Sequence, residues 1–304
     1  MDKLIKVADG FHFLEGPRWH ENKLWFSDMH GYKVHNLDAD GNLSTLAEIP
    51  EQPSGLGWLP DGSLIIVSML DRKLMKLKDG ELSIHADMSH LTPYQCNDMV
   101  IAKDGTAYVG NFGTDSVESK IHKTCLISVT QEGETKICAD GLLFPNGTVI
   151  SPDGKELIVG ETFGGNLTSF QINESGELSH RTIWARVMPL HFKIITSIIR
   201  FLNIPLKESN STPFPVPDGI CLDSDNGIWV ASPTTAEVIR YKKGGKITDR
   251  IATPQPAYAC MLGGKDEKEL YILTAESSNP QFCKANKTGE IYKVEVDYER
   301  AGEP

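Results

Sequence analysis

Six times along the chain a short polar pair stands immediately before an apolar, strand-like run, and the spacing of these pairs constrains the fold more than any other feature. The pairs are Glu15-Gly16, Ser54-Gly55, Asn97-Asp98, Asn146-Gly147, Asp218-Gly219 and Ala259-Cys260. Their successive intervals are 39, 43, 49, 72 and 41 residues, which is the period of a four-stranded propeller blade rather than of a helical repeat. Six such units close into a ring. The first strand of every blade then lines the central channel, so residues distant in sequence but equivalent in the repeat converge on one axis. The expectation is an all-β, six-bladed propeller in which Glu15, Asn97, Asn146 and Asp218 meet.

The content of each repeat supports four-stranded blades. Blade two runs Ser54-Gly55-Leu56-Gly57-Trp58, then Pro60-Asp61-Gly62, then Leu64-Ile65-Ile66-Val67. Asp-Gly and Asn-Gly supply the positive backbone angles of tight hairpin turns, and they recur at Asp40-Gly41, Asp61-Gly62, Asp79-Gly80, Asp104-Gly105, Asp153-Gly154 and Asn226-Gly227. The strands between them, such as Leu157-Ile158-Val159 and Ile228-Trp229-Val230, suit sheets covered on both faces. Very little helix is expected.

At 304 residues the length alone allows two domains, but a propeller uses all of it, residues 1–304, as one closed unit. The first residues, Met1 to Lys6, lack the apolar core of a secretion signal, and no stretch reaches the roughly 20 apolar residues of a membrane span. A soluble, cytoplasmic protein is expected. The six cysteines form no C-x-x-C pair and are few for the length, so free thiols are expected rather than a disulfide framework. A net charge of −11 argues against nucleic acid as a partner, because phosphates demand a basic footprint. It is compatible with holding a cation.

One interval breaks the period. The excess in the 72-residue step falls near residues 186–215, between blades four and five. Within it Ile194, Ile195, Ile198, Ile199, Phe201 and Leu202 share one side of a helix. A short helical insertion over residues 190–204 is therefore expected, and because it leads into Pro217-Asp218-Gly219 its first reading is an apolar lid. Packing, a homodimer contact or a surface anchor are the alternatives.

Two carboxylates, Glu15 and Asp218, with two amides, Asn97 and Asn146, form an oxygen-only set of charge about −2. Hard ions such as calcium prefer that set, with magnesium, manganese and zinc as alternatives. Zinc is ordinarily given His or Cys, and none of the nine histidines stands at a pair position or in an H-E-x-x-H spacing. Taken singly, each pair reads as a turn. Four in equivalent positions read as ligands.

These residues carry a resemblance. Glu15-Gly16-Pro17-Arg18-Trp19, Asn97-Asp98, Pro145-Asn146-Gly147, the run from Pro217-Asp218-Gly219 to Asp223, and Gly263-Gly264-Lys265 are similar to the signature points of the regucalcin/gluconolactonase (senescence marker protein) family of six-bladed propellers, over essentially the whole chain. The resemblance implies a metal-dependent lactonase or related esterase acting on a small-molecule substrate. It implies Glu15, Asn146 and Asp218 as metal ligands, Asn97 as a further ligand or substrate contact, and Asp218 as proton acceptor. Direct attack by Asp218, as in phosphotriesterases of similar fold, is the mechanistic alternative. No lysine, histidine or G-x-S-x-G serine competes for the nucleophile's role.

The chain departs from the sugar-lactonase pattern at Gln95, where those members place an arginine that holds polar substrate oxygens. With the apolar insert, this shifts the expected substrate from aldonolactones toward a more apolar lactone or ester. Blade register adds Asn111, Phe112, Thr162, Phe163, Tyr258 and Met261 as pocket candidates, of which Asn111, Thr162 and Tyr258 join Gln95 and Asn97 as expected substrate contacts. A non-catalytic calcium-binding propeller and a metal-free interaction propeller are the other function classes.

Overall fold

The structure, a computed structural model, describes residues 3–114, 120–189 and 214–304. Strand β1 (Ile5–Phe11) opens the chain. Blade one follows as β2 (Leu14–His20), β3 (Lys23–Asp28), β4 (Lys33–Leu37) and β5 (Leu43–Glu48). Blade two is β6 (Pro53–Trp58), β7 (Leu64–Ser68), β8 (Lys73–Lys78) and β9 (Glu81–Asp87). Blade three is β10 (Cys96–Ile101), β11 (Ala107–Asn111), β12 (Thr124–Val129) and β13 (Thr135–Leu142). Blade four is β14 (Pro145–Ile150), β15 (Glu156–Glu161), β16 (Asn166–Ile172) and β17 (Leu178–Arg186). Blade five is β18 (Ile220–Leu222), β19 (Gly227–Ser232), β20 (Glu237–Lys242) and β21 (Ile247–Ala252). Blade six takes β22 (Ala257–Gly263), β23 (Glu269–Thr274) and β24 (Gly289–Glu295), and β1 pairs antiparallel with β24 as its outermost strand.

Every blade is therefore a four-stranded antiparallel meander, and the sixth is sewn from both ends of the described chain. This closure leaves no blade unpaired within the ring, so the ring acquires no exposed inner edge. The inner strands β2, β6, β10, β14, β18 and β22 pack against their neighbours in that cyclic order. A second tie runs from blade six beneath blades five and four, where Arg300 bridges Asp223 and Glu303 bridges Ile150.

The expected turns form. Gly41, Gly62, Gly80, Gly105 and Gly154 have φ between 73° and 88°, and at Asn226-Gly227 the asparagine itself takes φ 52°. The aspartates of three such turns also cap them, accepting from Ser63, Thr106 and Lys155 backbone N–H at 2.9–3.1 Å. Apolar side chains fill the spaces between blades: Leu14, Phe26, Trp229, Met261 and Ile272 belong to one fully buried cluster. Met261, a pocket candidate from register, thus belongs to the core at 0% exposure.

Among the described residues the one α-helix is α1 (Pro280–Ala285), between β23 and β24. The sequence reading missed it, although Asn279 is a strong cap whose side chain accepts from Gln281 and Phe282 N–H, with Pro280 in the first turn. The helix expected over 190–204 lies outside the described residues. All six cysteines are free thiols, and no described helix is long and apolar enough to cross a membrane.

Candidate metal and active site

Inner strands covered on both faces have no free face to offer the channel, and the sequence solves this with bulges. Strand register jumps between Glu15 and Arg18 in blade one, Pro53 and Leu56 in blade two, and Cys96 and Met99 in blade three. It jumps again between Pro145 and Thr148 in blade four, and Ala257 and Ala259 in blade six. A bulge breaks the in-out alternation and re-aims the residue it contains. In these five blades the inner-strand pair lies in the bulge or at its edge, whereas in blade five Asp218-Gly219 stands just ahead of β18, which pairs with β19 without a register shift.

Except for Asp98 in blade three, the second residue of each pair is small, because the next blade's inner strand lies against it. A Cβ on Gly147 would stand 2.4 Å from Ile220 N and 2.8 Å from both Asp218 O and Gly219 Cα. A Cβ on Gly219 would meet Ala259 Cα at 2.7 Å and Tyr258 O at 3.1 Å. The two contacts are equivalent, so Tyr258-Ala259 is the sixth pair. The expected pair Ala259-Cys260 is one residue late: without a glycine or carboxylate the motif is invisible in sequence, and the bulge at Tyr258 identifies it. The ring around the axis is then Glu15, Ser54, Asn97, Asn146, Asp218 and Tyr258, none more than 7% exposed.

Asn146 is oriented by its neighbours. Its Nδ2 donates to Asp218 Oδ1 and to Thr162 Oγ1 at 3.2 Å, and Thr162 Oγ1 donates to Pro217 O at 2.8 Å. Both amide protons are thereby engaged, and Asn146 Oδ1 is left buried with no partner among the described residues. Asn97 Nδ2 points to Pro145 O at 3.4 Å, which ties the third blade's amide to the fourth. Glu15 accepts from Gly16 N–H at 3.3 Å.

The electrostatics are those of a site short of positive charge. Burial, then the Asp218 and Asp98 carboxylates, raise the Glu15 carboxyl well above the usual range. Burial pushes Asp218 up to about 8, with the Asn146 hydrogen bond opposing and Asp98 adding to the rise. Asp98 itself has a cation: Arg18 Nη2 reaches it at 2.7 Å, while Arg18 Nε donates to Leu56 O at 2.9 Å and Nη1 to Pro17 O at 2.7 Å. Arg18 thus joins blades one, two and three from a position 4% exposed. Among the described residues Glu15 and Asp218 have no such partner, and a divalent cation on the axis would relieve their repulsion.

A hard cation fits these residues. An amide oxygen buried without a hydrogen bond costs free energy unless something else occupies it, and Asn146 shares the ring with two carboxylates of raised pKa, one of which, Asp218, it contacts. Among the described residues no three His, Cys, Asp or Glu side chains gather as metal ligands. The oxygen set is complete only when the amides Asn97 and Asn146 are counted, as calcium sites allow.

Asn111 has a different role from the expected substrate contact. It ends β11, and the equivalent position in every blade holds a polar residue that clamps its own blade: Asp28, Ser68, Asn111, Glu161, Ser232 and Thr274. Asn111 Nδ2 donates to Cys125 O at 2.9 Å and its Oδ1 accepts from Thr124, so both ends of the amide are committed inside blade three. Gln95 is half-buried at the entrance of β10, its carbonyl accepting from Phe112 N–H at 3.0 Å.

The surroundings of the ring are apolar or neutral. Phe112 stacks on Phe144 at 4.5 Å, and Phe144 meets Phe163 edge-on at 5.0 Å. On the opposite side Tyr258 packs edge-on against Phe13 at 4.7 Å, and Phe13 against His30 at 6.0 Å. Burial drives His30 down to about 4, so it is uncharged at neutral pH. Phe144, with φ 58°, is a bulky residue in the left-handed region directly before Pro145-Asn146, where strain marks functional positions. Sequence reading missed Phe144, and its position before a ring residue is the signal that finds it.

Known proteins share this fold. A family model described as SMP-30/Gluconolactonase/LRE-like region matches residues 13–276. The chain is 24% identical over 266 residues to a pentonolactonase of Haloferax volcanii, covering 86% of this chain and 81% of that one. It is 29% identical over 297 residues to regucalcin of Gallus gallus, covering 94% and 92%. A solved structure of a calcium-binding protein, regucalcin, from Agrobacterium tumefaciens superposes with a TM-score of 0.77 at 18% identity, over 100% of this chain and 97% of that one. The match spans every blade and the whole axial ring, and the chain belongs to the SMP-30/gluconolactonase/LRE-like family.

Proposed function

We propose that this protein is a divalent-cation-dependent hydrolase that opens a lactone or a comparable simple ester, on a substrate more apolar than a sugar aldonolactone. The observation that carries the reading is Asn146 Oδ1, buried and unpaired on an axis shared with two unneutralised carboxylates. Glu15, Asn146 and Asp218 would hold the cation, with Asn97 beside them, and calcium suits the all-oxygen set best. When bound, the cation supplies Lewis-acid stabilisation of the charge that develops on the carbonyl oxygen.

The chain's own residues do the rest. Thr162 and Pro217 fix Asn146, and Asn146 in turn holds Asp218 Oδ1. In its ionised form Asp218 accepts a proton from water as the water oxygen bonds to the carbonyl carbon and the carbonyl electrons move to oxygen. The ring carbon–oxygen bond then breaks, and the proton returns to the departing alkoxide, which becomes the product hydroxyl. The Phe112, Phe144 and Phe163 rings offer an apolar wall. Gln95 lacks the fixed fork of donors with which an arginine grips several hydroxyls.

The test is proton release by the purified, cation-loaded protein on small alkyl lactones, sugar lactones, aryl esters and phosphotriesters, with and without chelator. Chelator-sensitive hydrolysis favouring alkyl lactones is expected. Hydrolysis untouched by chelator and by Asp218→Asn removes the mechanism, and no hydrolysis of any member leaves the non-catalytic calcium-binding propeller.

A further inference from the structure

Of the six ring side chains, two end in a buried oxygen with no partner among the described residues: Asn146 Oδ1 and Ser54 Oγ. Cation binding accounts for the first. Ser54 is 0% exposed, and its backbone carbonyl, not its hydroxyl, takes the local hydrogen bond, from Ser27 Oγ at 2.7 Å. It lies in a bulge between Pro53 and Leu56, the counterpart of those that hold Asn97 and Asn146 in their blades and follow Glu15 in blade one. A hydroxyl desolvated without a hydrogen bond is a standing cost to the fold, and alanine there would remove it. The hydroxyl's site is therefore one that something polar fills when the protein works.

The ring order identifies that occupant. Inner strands follow one another as β2, β6, β10, β14, β18 and β22, so blade two stands opposite blade five and Ser54 faces Asp218 across the axis. Glu15 faces Asn146, and Asn97 faces Tyr258, by the same order. We propose that Ser54 is a positioning residue for the attacking water, a role that rests on the hydrolase reading above. Asp218 accepts one O–H of that water and Ser54 Oγ accepts the other, which turns an oxygen lone pair toward the carbonyl carbon. No bond to Ser54 forms or breaks in the step. A serine suits this because its hydroxyl rotates freely to accept, and the ring's other hydroxyl, on Tyr258, stands between Asp218 and Glu15 instead of opposite the base.

The test is Ser54→Ala with three readouts. Turnover on the best lactone should fall about tenfold with KM within twofold, the effect of one lost hydrogen bond to the reacting water. Calcium affinity, measured by calorimetry, should change less than threefold. The cation-free protein should melt about 2 °C higher, since the unpaired hydroxyl is gone. Wild-type protein that hydrolyses no lactone overturns the hydrolase reading. Active wild type with unchanged turnover in Ser54→Ala overturns the Ser54 role alone, as does a lowered melting temperature, which marks the hydroxyl as a structural contact.

Discussion

Replacing Asp218 by asparagine tests the electrostatics of the axis through stability, before any substrate is added. Asn keeps an oxygen that accepts from Asn146 Nδ2 and removes the charge. Burial pushes Asp218 from 3.8 up to about 8, so the folded protein holds this proton more tightly than the unfolded chain does. The favourable contribution is complete below about pH 4 and is lost as pH rises toward 8. At roughly 1.4 kcal/mol per unit, a gap of about four units sets a ceiling near 6 kcal/mol. Relaxation of the surrounding dipoles lowers that, to an expected 2–3 kcal/mol or about 4 °C for a chain of this length. In chelator, wild-type protein should melt about 4 °C lower at pH 8 than at pH 5. Asp218→Asn should melt above wild type at pH 8 and lose much of the pH dependence, with Glu15 supplying the remainder. Calcium should raise the wild-type midpoint more than the variant's. Turnover of the variant should fall at least about 100-fold. Equal wild-type midpoints at pH 5 and pH 8 in chelator, or a variant less stable than wild type at pH 8, would refute the picture of two unneutralised carboxylates.

Other positions separate site from scaffold. Gln95→Arg should raise kcat/KM on polyhydroxylated lactones relative to alkyl lactones by about tenfold, because a guanidinium holds paired oxygens that an amide does not; an unchanged ratio on the substrate panel places Gln95 outside the pocket. Asn111→Ala should cost about 2 kcal/mol in denaturant unfolding, since it leaves Thr124 and Cys125 without their partner, while KM stays within twofold; a KM change with no stability loss would return Asn111 to the substrate contacts. Arg18→Met should cost about 3 kcal/mol or more, because it strands Asp98 in the interior. That loss should shrink in the Asp98→Asn background, and additive losses in a double-mutant cycle would rule out the pairing.

Much of the fold was legible because every blade meets the same packing problem and answers it with the same residues. Asp-Gly turns and the 39- to 49-residue spacing follow from strand length and hairpin geometry, which are local. What depends on neighbours in the ring was not legible. Gly147 and Gly219 read as turn formers in sequence, yet their small size serves the approach of the next blade. Tyr258-Ala259 escaped notice as the sixth pair because an alanine fits the same gap and a tyrosine carries no ligand signal. Asn111 resembled a substrate contact because the blade clamps use the same acids, amides and hydroxyls that binding sites use, one strand further along. The direction of the Asn146 amide is set by Asp218, 72 residues away, and no local pattern encodes it.

The ring explains why a propeller with a net charge of −11 tolerates three buried carboxylates near one axis. Asp98 occupies the second pair position, where most other blades have glycine, and its charge is absorbed by Arg18, whose other donors bind backbone carbonyls of blades one, two and three. That pair is a fixed strut. Glu15 and Asp218 have no cation partner among the described residues, so their repulsion is relieved on binding in proportion to the ligand's charge. A rigid closed ring can sustain that frustration, since blades locked by β1 and β24 cannot move apart to admit bulk water. The same rigidity holds the donors in place before substrate arrives, which is the condition under which an electrostatic site contributes to rate as well as to affinity.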